Sequence, residues 1–218
     1  MKLIRIFCSI EPLYVEANDA LMAARDEAAI AAGLMVAKDK RNEKEKRALE
    51  RKKLLQERQE LPGSVIFVGL EGTRPILVEV QALVSPSVFG YPKRLADGFD
   101  INRLGLLCAV MQKRGGVNLS TQDVYVNIVG GIKLSEPAID LAIILAIASA
   151  SSGKLIKNST VVYGEVGLSG EIRSVNMPLV RLKEARKLGF ENAIVPYSVK
   201  DKSCIPVKTI AEAIKTLK

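Results

Sequence analysis

Gly63-Ser-Val-Ile-Phe-Val-Gly-Leu-Glu-Gly-Thr-Arg-Pro-Ile-Leu-Val-Glu-Val-Gln-Ala-Leu-Val-Ser-Pro86 is the stretch on which the reading of the chain turns. Ser64–Gly69 and Ile76–Val84 are rich in β-branched residues and alternate apolar with other side chains. The Glu71-Gly72-Thr73-Arg74-Pro75 segment between them predicts a hairpin turn. The texture before Leu61-Pro62-Gly63 is different. Residues 16–60 contain one glycine, no proline and many Ala, Glu, Lys, Arg and Leu, which predicts a long helical segment stopped by Pro62-Gly63. The chain thus divides into a charge-rich helical segment at 1–62 and an α/β domain at 63–218.

Downstream, the expected elements alternate. Phe99 to Arg114 carries a helical apolar stripe (Ile101, Leu104, Leu107, Cys108, Met111) that Gly115-Gly116 ends. Asp123–Val129 alternates as a strand. Pro137 to Ser152 predicts a helix with Ser135 as its N-cap and Pro137 in its first turn. Short strands are expected at Val161–Val166, Gly170–Arg173 and Ala193–Pro196. Helices are expected at Met177–Leu188, capped by Gly189, and at Thr209–Leu217.

Composition narrows the chemistry. Among 218 residues, 32 Lys and Arg face 24 Asp and Glu, a net charge of +8, and there is no histidine. Without histidine, His-based triads, His general bases and His metal ligands are excluded. The three cysteines, Cys8, Cys108 and Cys204, are far apart and form no C-x-x-C, which argues against a zinc knuckle or a disulfide framework and for a reducing compartment. Aromatic residues are 5% of the chain, which weakens any model of single strands bound on stacking platforms. The most apolar run, Ala138 to Ala150, encloses Asp140 and falls short of the roughly 20 residues of a membrane span. The start of the chain is too short and too charged for a secretory core. A cytoplasmic protein with no membrane contact is expected.

The charge is unevenly placed. Residues 38–60 hold ten Lys or Arg and six Asp or Glu, half of the excess. The mixed signs, with pairs such as Glu43 and Arg47, favour a solvated helix over a basic nucleic-acid arm. In the α/β domain, Lys93-Arg94 follow the loop-like Phe89-Gly90-Tyr91-Pro92, and Arg103 opens the next helix. Together they are the candidate phosphate-contacting patch, with an ion pair from Arg103 to Asp97 or Asp100 as the competing structural role. Lys113-Arg114 fit a helix C-terminus. None of the glycine clusters belongs to G-x-x-x-x-G-K-[ST] or G-x-G-x-x-G, so no ATP site and no cofactor is expected.

The hairpin stretch, with Asn102-Arg103-Leu104, Leu119-Ser-Thr-Gln-Asp-Val-Tyr-Val126, Glu136-Pro-Ala-Ile-Asp-Leu-Ala142, Tyr163-Gly-Glu-Val-Gly-Leu-Ser-Gly-Glu171 and Ala185-Arg-Lys-Leu-Gly-Phe190, resembles the C-terminal domain of the bacterial RadA (Sms) repair proteins. The resemblance runs in order over about residues 63–218. It implies an α/β fold of the Lon proteolytic-domain (ribosomal S5 domain 2-like) type. Lon peptidases use a serine nucleophile and a neutral lysine. The matching positions here are Ala138, whose methyl group cannot attack a carbonyl, and Leu179. Ser135 and Lys183 are the neighbouring substitutes, and each sits about one helical turn from the position needed. The resemblance therefore implies no enzyme but a pseudo-peptidase, acting as a DNA-binding scaffold in repair and recombination. The alternative is a Ser-Lys peptidase with displaced residues.

The RadA resemblance also implies what lies elsewhere in that family: a four-cysteine zinc ribbon, a RecA-like ATPase and a Lys-Asn-Arg-Phe-Gly motif, none of which appears in this sequence. The expected partners are DNA, a separately encoded RecA-like ATPase and further copies of the chain in a hexameric ring. A truncated or split form, or a gene remnant, is therefore expected.

Overall fold

The computed structural model describes residues 61–88, 90–157 and 159–218, together with Ala24, Glu27, Ala28, Ile30 and Ala31, which are helical and exposed. The chain separates into two compact units, Met1–Leu54 and Leu55–Lys218. The rest of the expected N-terminal helical segment lies outside the described residues. The second unit holds the whole of the α/β domain.

The hairpin forms as its alternation dictates. β1 (Ser64–Glu71) and β2 (Arg74–Pro86) are antiparallel, in register from Ser64 opposite Gln81 to Glu71 opposite Arg74. The turn is tighter than the sequence suggests, because only Gly72 and Thr73 remain unpaired. Gly72 has φ +62°, a left-handed conformation that a glycine takes without steric cost. β3 (Arg94–Asp97), β4 (Gln122–Ile128), β5 (Thr160–Val162), β8 (Asn192–Pro196) and β9 (Cys204–Val207) complete a seven-stranded sheet of order β3-β4-β2-β1-β5-β8-β9. β2 is antiparallel to both of its neighbours, whereas the β3/β4, β1/β5, β5/β8 and β8/β9 pairs are parallel. Every strand except β2 therefore points the same way. The sheet has one carboxyl-end rim, where the chain leaves six strands. β6 (Glu165–Val166) and β7 (Ile172–Arg173) form a small separate ribbon at that rim.

The core explains the α/β class expected from the sequence. α1 (Ile101–Val110) continues as a π-helical turn at Met111–Gly115 and stops at Gly116, left-handed with φ +71°. α2 (Asp140–Ser152) is buried from Asp140 to Ser149 and packs across β1 and β2. α3 (Pro178–Lys187) packs on the same two strands, and Val65 to Val68 of β1 are at most 1% exposed. A strand buried on both faces reads as a continuous apolar run, which is the pattern of Val65-Ile66-Phe67-Val68. α4 (Ile210–Ile214) is capped by Thr209, whose hydroxyl accepts from the Glu212 amide at 3.3 Å.

One expectation is corrected, and two strands are added. Ser135 is not a helix cap: a 3₁₀ turn at Pro137–Ile139 precedes α2, its flanking residue is Glu136, and Ser135 lies outside it, exposed. Arg94, after the loop-like Phe89-Gly90-Tyr91-Pro92, opens β3, a strand for which the sequence suggests no element. Cys204–Val207, for which the sequence suggests no element, is strand. It carries Pro206, which only an edge strand such as β9 accommodates readily. Among the described residues, no helix is long and apolar enough to cross a membrane.

Candidate functional site

Ala138, which the resemblance leads one to expect in place of a nucleophile, is 2% exposed in the 3₁₀ turn before α2. Its carbonyl accepts from the Gly164 amide at 2.8 Å, and the Gly164 carbonyl accepts from the Leu141 amide at 3.0 Å. This two-bond clasp sets the turn against the carboxyl end of β5. A Cβ on Gly164 would meet Leu141 and Ile172 at 3.1 Å, so the absence of a side chain there permits the close approach. Beside the clasp is a cleft of about 300 Å³, lined by Phe99, Asp100, Arg103, Ser135, Glu136, Asp140 and Glu165 among others.

One ion pair lines this cleft, and a second lies behind it and reaches it only through Glu136. Asp140, fully buried at the start of α2, accepts from Arg103 Nε at 3.1 Å and from the Val166 amide at 3.1 Å, and is ion-paired with Arg103 Nη2. The same Nη2 donates to the Val166 carbonyl at 2.9 Å. Burial pushes the Asp140 carboxyl above its ordinary value, against the opposing hydrogen bonds from Arg103 and Val166. The hydrogen bond to Asp140 raises the Arg103 guanidinium. The partners respond unequally because Asp140 is enclosed while 31% of the Arg103 side chain is exposed.

The second pair is deeper. Arg181 of α3 is the largest fully buried side chain in the described residues and is ion-paired with Glu136. Its Nη1 donates to the Val68 carbonyl at 2.7 Å and its Nε to the Asn176 carbonyl at 2.9 Å. Glu136 also accepts from the Leu70 amide at 3.0 Å. The pair therefore ties the end of β1, the 3₁₀ turn and α3 together. Met177, just before α3, is held left-handed at φ 51°.

The candidate residues are dispersed. Arg103 and Ser135 both line the cleft, but Arg103 is engaged with Asp140 rather than Asp97 or Asp100, and Asp100 instead caps α1 through the Arg103 amide at 2.7 Å. Leu179 is 63% exposed and Lys183 is exposed on α3; among the described residues no hydrogen bond joins Lys183 to Ser135. Lys93 and Arg94 sit at the amino end of β3, the opposite rim of the sheet. Lys93 is exposed, and its amide donates to Asp123 Oδ1 at 2.7 Å. Arg94 turns inward and donates to the carbonyls of Gln122 at 2.6 Å and Leu119 at 2.9 Å. Arg181 escaped the sequence reading, because nothing local distinguishes it from the exposed cations of the same helix.

A protein-family profile described as "Subunit ChlI of Mg-chelatase" matches residues 108–199. Proteins named DNA repair protein RadA are close relatives. That of Aquifex aeolicus (strain VF5) is 44% identical over 167 residues, 75% of this chain and 38% of that protein. That of Bacillus subtilis (strain 168) is 48% identical over 161 residues, 71% of this chain and 35% of that protein. That of Streptococcus pneumoniae (strain ATCC BAA-255 / R6) is 49% identical over 160 residues, 70% of this chain and 38% of that protein. The chain spans about a third of the length of the curated relatives it matches. The expectation of no enzyme and no ATP site does not stand against these matches, because the profile describes a subunit of an enzyme, Mg-chelatase. That expectation rested on a dyad and a few short glycine motifs, whereas the profile match runs through α2, β5 and α3.

Proposed function

From homology with the DNA repair protein RadA across about three quarters of the chain, we propose that residues 63–218 form a Lon-like module that contacts DNA in repair or recombination. The observation that carries this reading is identity of 44 to 49% to relatives of that name, spread over most of the α/β domain. The proposed partners are DNA, a RecA-like ATPase and further copies of the chain in a ring.

The geometry distributes the three proposed phosphate contacts unequally. Arg94 is committed to main-chain carbonyls and braces the start of β3. Arg103 is committed to its ion pair with Asp140 and to the Val166 carbonyl. Lys93, exposed at the amino-end rim, is the most accessible of the three to a phosphate. The test is fluorescence anisotropy of labelled DNA with the full chain between 50 and 200 mM salt. Binding that weakens steeply with salt, with the slope reduced by about one in Lys93→Glu, supports the reading. Absence of binding at 50 mM salt overturns it.

A further inference from the structure

One cluster on the carboxyl-end rim is used neither by the cleft nor by Lys93. Pro196 of β8 lies opposite Val207 of β9, so the chain leaves these parallel strands side by side at Tyr197 and Lys208. The backbone is fixed at both points. The Tyr197 amide donates to the Val207 carbonyl at 3.0 Å, and the Lys208 carbonyl accepts from the Ile172 amide at 2.8 Å. The Lys208 amide donates to Glu212 Oε2 at 2.8 Å. On this frame the Tyr197 ring is 47% exposed. Lys208 Nζ lies 4.2 Å and Lys200 Nζ 4.4 Å from the ring centroid.

Two ammoniums drawn to one ring repel each other, and the negative face of the ring offsets that repulsion. No carboxylate among the described residues pairs with either. Asp201, next to Lys200, is engaged instead by Arg186 and by the amide of Ser203 at 3.0 Å. An anion that reaches both ammoniums would relieve their repulsion. As phosphates draw the two ammoniums off the ring, its face is uncovered and a base can stack on it. Cations for phosphate beside an aromatic platform are the chemistry of single-strand binding, and the carboxyl ends of parallel strands are where open α/β sheets hold ligands.

We propose that Tyr197, Lys200 and Lys208 form a contact for a single nucleic-acid strand, with the two ammoniums on phosphates and the tyrosine ring against a base. The proposal rests on the nucleic-acid reading above and adds a second contact on the rim opposite Lys93. One ring serves one base per copy, which is compatible with a chain poor in aromatics.

The experiment measures anisotropy of labelled (dT)20, (rU)20 and a blunt DNA duplex with the full chain, its K200A/K208A double variant, Tyr197→Ser and Tyr197→Phe. Circular dichroism confirms the fold of each. At 100 mM salt, K200A/K208A is expected to weaken single-strand binding about tenfold and to lower the salt slope by about 1.4. Tyr197→Ser is expected to cost at least about fivefold, and Tyr197→Phe to restore it. The tighter of the DNA and RNA arms identifies the source of the strand. Single-strand binding unchanged in K200A/K208A but reduced in Lys93→Glu overturns this proposal alone. Tyr197→Phe as weak as Tyr197→Ser overturns the stacking contact. No binding of any strand by the wild-type chain overturns both readings.

Discussion

Around Ala138 the guanidiniums meet carboxylates inside the fold, Arg181 with Glu136 and Arg103 with Asp140. At Tyr197, on the same rim, two ammoniums gather on an exposed ring and no carboxylate pairs with them among the described residues. The difference separates two uses of charge. In the cleft, charge is neutralised during folding and holds elements in place. At the Tyr197 corner it is left facing solvent, where a polyanion can complete it. Variants in the first region should therefore act on stability, and variants in the second on binding.

The largest effect is expected at Arg181. Arg181→Met leaves Glu136 without its ion-pair partner and the buried Val68 carbonyl without the donor at 2.7 Å. Breaking a buried pair from one side costs about 3–5 kcal/mol. In a domain of this size that lowers the melting temperature by roughly 10 °C. Urea and thermal unfolding measure it. Adding Glu136→Gln should recover part of the loss, because the double variant no longer strands a charge. A fully additive double variant would show that the pair is not the unit that holds α3 to β1.

Asp140→Asn is expected to cost less, about 1–3 kcal/mol. The amide keeps one acceptor but turns a donor toward either Arg103 or the Val166 amide, both of which already donate. Equilibrium unfolding checks it. A change below about 0.5 kcal/mol, the range of ordinary surface substitutions, would show that the Arg103 pair does not hold the fold. Smaller again is the stability effect of K200A/K208A, expected within about ±0.5 kcal/mol because both side chains are exposed. A large loss of stability there would mean that the cluster serves the fold rather than a ligand.

How far the sequence discloses these regions depends on the distance between partners. The β1–β2 hairpin is legible because alternation and turn residues lie within one stretch, and α2 because its apolar run has helical length. β3 and β9 escape notice because four residues such as Arg94–Asp97 are too few to show a period, and Pro206 disguises β9. Lys93-Arg94 look like one basic doublet, yet only the pairing of β3 with β4 reveals that Arg94 turns toward the Gln122 and Leu119 carbonyls. Likewise, Arg103 finds Asp140 rather than its near neighbours. Tyr197 and Lys208 become adjacent only through the parallel β8–β9 register.

Asp201 offers the smallest and most discriminating effect, since it stands between the two kinds of charge. The Ser203 amide and hydroxyl, and Arg186, hold its carboxyl below the ordinary 3.8. A carboxylate depressed in the folded state contributes stability above its unfolded value. That contribution is lost as pH falls through the folded value. Asp201→Asn should therefore lower the melting temperature slightly at neutral pH, and the two proteins should converge below about pH 4, as thermal unfolding between about pH 2 and pH 7 would show. Its effect on binding tests the corner itself. Because Asp201 engages Arg186 rather than Lys200, removing its charge should tighten (dT)20 binding only slightly, by about twofold or less, through the long-range field. A larger gain would mean that Asp201 already neutralises Lys200 in solution, and that the two lysines do not stand ready for a strand.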